Sequence, residues 1–149
     1  MAQLNLYVPD EVAARLRREA DLQGQSKICI GVLNQQASLI ERLSLILNSE
    51  IGIPSVVVGE LSFGACKSQD VARSLAKLAA LTSRFDTVPF DFAAAHHYGN
   101  LKATLYGQGK PIGPNDFLIA ATALARNATL VTRNVREFSR VPALRWVEW

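Results

Sequence analysis

Pro111-Ile112-Gly113-Pro114-Asn115-Asp116-Phe117-Leu118-Ile119-Ala120 joins turn residues to an acid and then to an apolar run. Pro114 and Asn115 suit the entry to a helix. Asp116 then falls in the first helical turn, where the positive end of the helix dipole favours an ionised carboxylate. The residues from Phe117 to Leu124 are mostly apolar, so this helix is expected to be buried around most of its circumference. A carboxylate at the lip of such a helix is either a cap, the commoner case, or a working acid.

The same form recurs upstream. Ile51-Gly52-Ile53-Pro54-Ser55-Val56-Val57 reads as a strand buried on both faces, and a helix follows with Glu60 in its first turn. Val71, Leu75, Leu78 and Leu81 predict a helix from Gln69 to about Phe85. Thr87-Val88-Pro89-Phe90 reads as an edge strand. Asp91 then caps a helix to about Leu105 that Gly107 and Gly109 end. His96 and His97 lie on that helix about 100° apart, so the pair makes no metal site; one partly packed and one exposed ring are expected.

Downstream, Asn127-Ala128 reads as a helix C-cap. Thr129 to Thr132 is a strand ending in Arg133-Asn134. A short turn or helix, Val135 to Ser139, and a last strand, Leu144 to Trp149, follow. Strands and helices alternate along most of the chain, which predicts an α/β fold with a mostly parallel sheet and helices on both faces. In such a sheet the ligand site lies at the carboxyl ends of the strands. Glu60, Asp116 and Thr132-Asn134 all fall at such ends. Two carboxylates with neutral oxygens beside them suit a hard cation such as Mg²⁺ or Mn²⁺.

Composition bounds the alternatives. The 149 residues fit one domain with a real core. A net charge of +3 leans mildly toward polyanions. Cys29 and Cys66 lack disulfide or zinc spacing and are expected to be small buried hydrophobes. No signal-peptide pattern and no membrane-length apolar run is present, so a cytoplasmic protein without membrane contact is expected.

At the N-terminus, Gln3, Asn5 and Tyr7 alternate with Leu4, Leu6 and Val8, the pattern of a half-buried strand. Pro9-Asp10 follows, and Asp10 can cap a helix from Glu11 to Leu22 that carries Arg15, Arg17 and Arg18 outward. Further on, Lys27 to Leu33 is a short apolar stretch, and Ser38-Leu39-Ile40-Glu41 forms a capping box for a helix to about Leu47. The first two dozen residues resemble the start of a ribbon-helix-helix antitoxin, in which paired strands read the DNA major groove. That resemblance would make Gln3 and Asn5 base-reading side chains. The alternative is a plain amphipathic strand and helix joined to the main domain.

The remainder resembles a PIN domain, and VapC-type toxins in particular. The resemblance is carried by Val58-Gly59-Glu60-Leu61-Ser62-Phe63-Gly64-Ala65, Pro89-Phe90-Asp91, Gly113 to Ala121, and Leu130 to Val141. It implies a three-layer α/β/α sandwich and a Mg²⁺- or Mn²⁺-dependent endoribonuclease. It also implies an RNA substrate, a VapB-type antitoxin partner and a homodimer. Glu60 and Asp116 match family acids, Thr132 and Asn134 match polar positions after the fourth strand, and Glu137 matches an acid near the site. Asp86 and Asp91 match none and read as loop and cap. Arg133 and Arg136, with Lys110, Arg126 and Arg140, are candidates for RNA phosphate contacts or for a solvated basic surface. The organisation expected is an antitoxin-like segment, 1–24, and a PIN-like domain, 25–149.

One departure is specific. The family's first strand ends in an acid that holds the metal, but Gln25, Ser26 and Lys27 stand where that motif belongs. Leu4 to Val8 is the candidate to fill the vacant strand, and Asp10 the candidate to replace the lost ligand. Three readings follow: an active ribonuclease, a fold-retaining relic that still binds antitoxin, and a DNA-binding regulator acting through the N-terminal ribbon.

Overall fold

The computed structural model describes residues 5–9, 13–14 and 51–148. Its strands are β1 (Leu6–Val8), β2 (Gly52–Pro54), β3 (Asp86–Val88), β4 (Thr129–Thr132) and β5 (Trp146–Glu148). Its helices are α1 (Ser55–Cys66), α2 (Val71–Arg84), α3 (Phe92–Gly107), α4 (Pro114–Ala125) and α5 (Val135–Phe138). The helix expected from Glu11 to Leu22 lies almost wholly, and the segments from Lys27 to Leu33 and Ser38 to Leu47 entirely, outside the described residues.

The strands form one sheet in the order β3-β2-β1-β4-β5. β2 pairs with β3 and β4 with β5 in parallel, whereas β1 runs antiparallel to both of its neighbours. Four strands therefore share one direction, and the central one opposes them. The N-terminal segment does fill the middle of the sheet, as the sequence predicts. The expected half-buried alternation does not hold, because Asn5, Leu6, Tyr7 and Val8 are all buried. A strand paired on both edges and covered on both faces has no solvent side for polar residues. Asn5 is accordingly not presented for reading DNA bases, and Gln3 lies outside the described residues.

Every residue of β1 and β4 is buried, so helices cover both faces of the sheet centre. α3 packs along α4, and α1 along α2, giving the α/β/α layering. Phe117, Ile53, Leu105, Leu130 and Phe138 fill the core among the largest buried side chains. The edge strand β3 is mostly exposed, as its position demands.

Local chemistry sets the boundaries. Asp91 caps α3 by accepting from the Ala94 N–H at 3.0 Å, and it also pairs with Arg126 at 2.9 Å. Gly109, at φ +66°, ends α3 in the left-handed conformation that a residue lacking Cβ adopts freely. Asn127, at φ +49°, does the same after α4. There the Ala128 N–H reaches the Ala123 carbonyl and the Asn127 N–H reaches Leu124, the paired bonds of a Schellman close.

Three expectations need correction. The run Ile51 to Val57 is not one strand: β2 stops at Pro54, and α1 begins at Ser55. Val56 to Val58 are helical, tertiary packing having overridden the β preference of their branched side chains. Glu60 therefore lies beyond the first turn of α1. Cys66 is exposed at the last turn of α1 rather than buried, and Cys29 lies outside the described residues. His96 and His97 are both exposed, with His96 edge-on to Phe92.

Candidate active site

The site is assembled where α4 begins, beside the carboxyl end of β4. Gly113 is the N-cap residue of α4 and Pro114 its first residue, which puts Asp116 in the first turn. Gly113 has no side chain with which to cap the helix, and its N–H is taken by Glu137. The Asp116 carboxylate accepts from the Asn134 side-chain amide, Nδ2 to Oδ2, at 3.1 Å. Asn134 follows β4 and opens α5 without capping it through its side chain, because that amide is turned to Asp116. The position of Asn134 is set in turn by Thr132, whose hydroxyl accepts the Asn134 backbone N–H at 3.0 Å.

Glu137, in the single turn of α5, faces the same corner. Its Oε2 accepts from the Gly113 N–H at 3.2 Å, and its Oε1 lies 3.9 Å from Arg140. Arg140 is itself anchored to the Pro111 carbonyl at 3.0 Å. The carboxyl of Asp116 is pushed up to about 6, first by burial and then by the negative charge of Glu137; the Asn134 amide opposes the rise. The negative charge of Glu137 disfavours ionisation of Asp116, and a cation beside the two would relieve it.

Asp116, Asn134, Glu137 and Thr132, all named from the sequence, thus lie close together. Thr132 is fully buried, so its hydroxyl shapes the turn and is not offered to a ligand. Arg136 is exposed and Arg133 half-buried on the adjoining surface. Arg126 is elsewhere: it caps the far end of α4, roughly 15 Å from Asp116 at the usual helical rise, and is paired with Asp91. Glu60 is exposed on α1, and among the described residues Glu137 is the acid whose charge raises Asp116. Among the described residues no three His, Cys, Asp or Glu side chains gather as a metal cluster.

The direction of β1 bears on the acid sought at its end. Val8 pairs with Thr129, at the start of β4, so β1 leads away from Asp116. Val8 and Pro9 line a groove of about 440 Å³ at that opposite edge, with Asp86, Asn127 and Ala128. Asp10 lies outside the described residues. At its other end β1 is preceded by Asn5, toward the carboxyl end of β4, a residue named from the sequence only as a candidate base-reading side chain. Nothing in an alternating pattern states which way a strand runs.

An acid-bearing helix start at the carboxyl edge of such a sheet belongs to a known class. The chain is a member of the PIN-domain family, which residues 26–144 match. Within that family its relatives are VapC proteins. It is 43% identical over 125 residues to a tRNA(fMet)-specific endonuclease VapC of Shigella flexneri, covering 83% of this chain and 94% of the relative. It is 38% identical over 126 residues to Ribonuclease VapC2 of Rickettsia felis, covering 83% and 94%. Among solved structures, VapBC from Salmonella typhimurium, in a DNA-bound form, matches with a TM-score of 0.75 at 36% identity over 80% of this chain and 90% of that one. VapBC2 from Rickettsia felis, bound to a promoter DNA fragment, matches with a TM-score of 0.73 at 36% identity and the same coverage.

Proposed function

We propose that this chain is an endoribonuclease toxin of the VapC type, cleaving RNA phosphodiester bonds at the corner formed by Asp116, Asn134 and Glu137. The observation that carries the reading is the Asp116 carboxylate, half-buried at a helix start, bonded by the Asn134 amide, and raised first by burial and then by the adjacent Glu137. Kinship with proteins named as ribonucleases supplies the reaction class.

The donor set suits Mg²⁺ or Mn²⁺, with Asp116 as the principal ligand and Glu137 and Asn134 supplying oxygens nearby. Glu60, on α1, is the further acid proposed for the set. A divalent cation there would stabilise the charge of an in-line phosphoryl transfer and ease deprotonation of water. The chain's own groups orient that chemistry. Asn134 fixes the rotamer of Asp116, the Gly113 N–H fixes Glu137, and Arg140 holds the Pro111–Gly113 turn. Arg133 and Arg136 are placed to neutralise RNA phosphates.

A VapB-type antitoxin is the proposed partner, and DNA is proposed to be reached through it; the related VapBC structures from Rickettsia felis and Salmonella typhimurium are DNA-bound. Phe63, on α1, is 62% exposed, and Val71 and Leu75 on α2 are also exposed, an apolar surface that a partner would cover. Among the described residues no helix is long and apolar enough to cross a membrane. Residues 1–24 are proposed as an antitoxin-like segment whose strand has been taken into the toxin sheet.

The test is cleavage of end-labelled RNA by purified protein with Mg²⁺ or Mn²⁺, against EDTA and against Asp116→Asn. Metal-dependent cleavage lost in the variant supports the proposal. No cleavage from folded protein supports the second reading, an impaired toxin that binds antitoxin, which the lack of a three-carboxylate cluster among the described residues favours.

A further inference from the structure

We infer that Asn5 stands where the family's first-strand acid would act, and that its side-chain oxygen is a neutral ligand for a divalent cation held by Asp116. The inference rests on the metal-dependent reading above and adds a residue to it.

Three observations carry it. The register of β1 against β4 pairs Leu6 with Val131, Tyr7 with Leu130 and Val8 with Thr129. Continued by one residue, it sets Asn5 opposite Thr132, at the edge where Asn134 meets Asp116. Residues two apart on a strand share a face, so Asn5 lies on the face of Tyr7. The Tyr7 hydroxyl donates to the Ile119 carbonyl of α4 at 2.6 Å, so that face is the one α4 covers. Asp116 is one turn before Ile119, on the side of the helix toward the carboxyl end of β4. Asn5 and Asp116 therefore converge on one corner of the sheet.

The second observation is the state of the Asn5 side chain. Asn5 is 4% exposed, and its Oδ1 is fully buried with no hydrogen-bond partner among the described residues. Buried polar atoms are nearly always satisfied, so a lone carbonyl oxygen at the sheet edge where Asp116 lies is a place for a donor or a cation. A carboxamide oxygen is an ordinary ligand for a hard cation.

The third is charge. An asparagine in place of an aspartate keeps the oxygen and removes one negative charge. Affinity for hard cations follows the ligand charge count, so the site is retained but weakened. Because β1 runs antiparallel to β4, its first end and not its last lies toward the carboxyl end of β4, and the residue there is the uncharged Asn5.

Mn²⁺ binding by the full chain tests this without any cleavage assay. Free Mn²⁺ is titrated by electron paramagnetic resonance in the native protein and in Asn5→Asp, Asn5→Ala and Asp116→Asn, with circular dichroism to establish folding. Asn5→Asp is expected to tighten binding by about tenfold or more, and Asn5→Ala to weaken it by about tenfold. Asp116→Asn abolishes it. If both Asn5 variants bind as the native protein does while Asp116→Asn abolishes binding, the metal reading stands and the role of Asn5 is overturned. If neither the folded native protein nor Asn5→Asp binds Mn²⁺, both fall. Should Asn5→Asp not fold, Asn5→Ala decides alone: weakened binding supports the inference, and unchanged binding overturns it.

Discussion

Asn134 and Asp116 are 18 residues apart in the chain, yet the amide of one donates to the carboxylate of the other at 3.1 Å. That bond joins the end of β4 to the start of α4. Among the described residues it is also the influence that lowers Asp116 against burial and Glu137. Removing it in Asn134→Ala raises Asp116 above about 6. The acid limb of the cleavage pH profile is then expected to move up by roughly one pH unit. An unmoved limb would show that Asp116 titrates independently of Asn134.

Glu137→Gln is expected to do the opposite. The glutamine oxygen can still accept from the Gly113 N–H, but the negative charge beside Asp116 is gone. Asp116 falls toward its ordinary range, and the acid limb moves down. Opposite displacements in the two variants, read on one substrate, separate charge from hydrogen bonding.

Asp116 also bears on stability. Its carboxyl is raised from 3.8 unfolded to about 6 folded. Between those values the folded chain binds more protons than the unfolded one, so stability falls as pH rises through the window. The penalty is fully present above the folded value and absent below the unfolded one. Asp116→Asn removes it, and after allowance for solvent screening of a half-exposed group the metal-free variant is expected to be about 1 kcal/mol more stable at pH 7.5. Urea denaturation with EDTA at pH 7.5 and 4 should show that advantage shrinking at the lower pH.

Tyr7 ties β1 to the helix that carries the site. Its hydroxyl is buried, and burial raises it well above its ordinary value, so it remains a neutral donor to Ile119. Tyr7→Phe should cost about 1 kcal/mol and lower Tm by roughly 2–4 °C, with cleavage per folded molecule little changed. A loss of cleavage out of proportion to stability would mean that the Tyr7 bond also positions α4.

Much of this site is legible in the sequence because its signals are local. The proline entry to α4, the acid after it and the Asp91 cap each depend on a few neighbouring residues. The need for a central strand is legible too, since a sheet with a missing strand leaves backbone groups unpaired. What is not legible depends on tertiary context. Alternation in Asn5 to Val8 is the same whichever way the strand runs, so the choice between Asn5 and Asp10 at the site edge is invisible there. Val56 to Val58 favour strand intrinsically, and only packing makes them helical. Arg126 lies next to site-bearing segments in sequence, but the length of α4 separates it from Asp116 in space.

The account turns on the N-terminal segment being the central strand, because its register carries Asn5 toward the sheet edge where Asp116 lies. Hydrogen–deuterium exchange of the Leu6, Tyr7 and Val8 amides tests it most directly. A strand paired on both sides exchanges only when the whole domain opens, so these amides should match the slowest in β4. Exchange within seconds, while β4 stays protected, would contradict the account: the segment would be outside the sheet, and Asn5 outside the site.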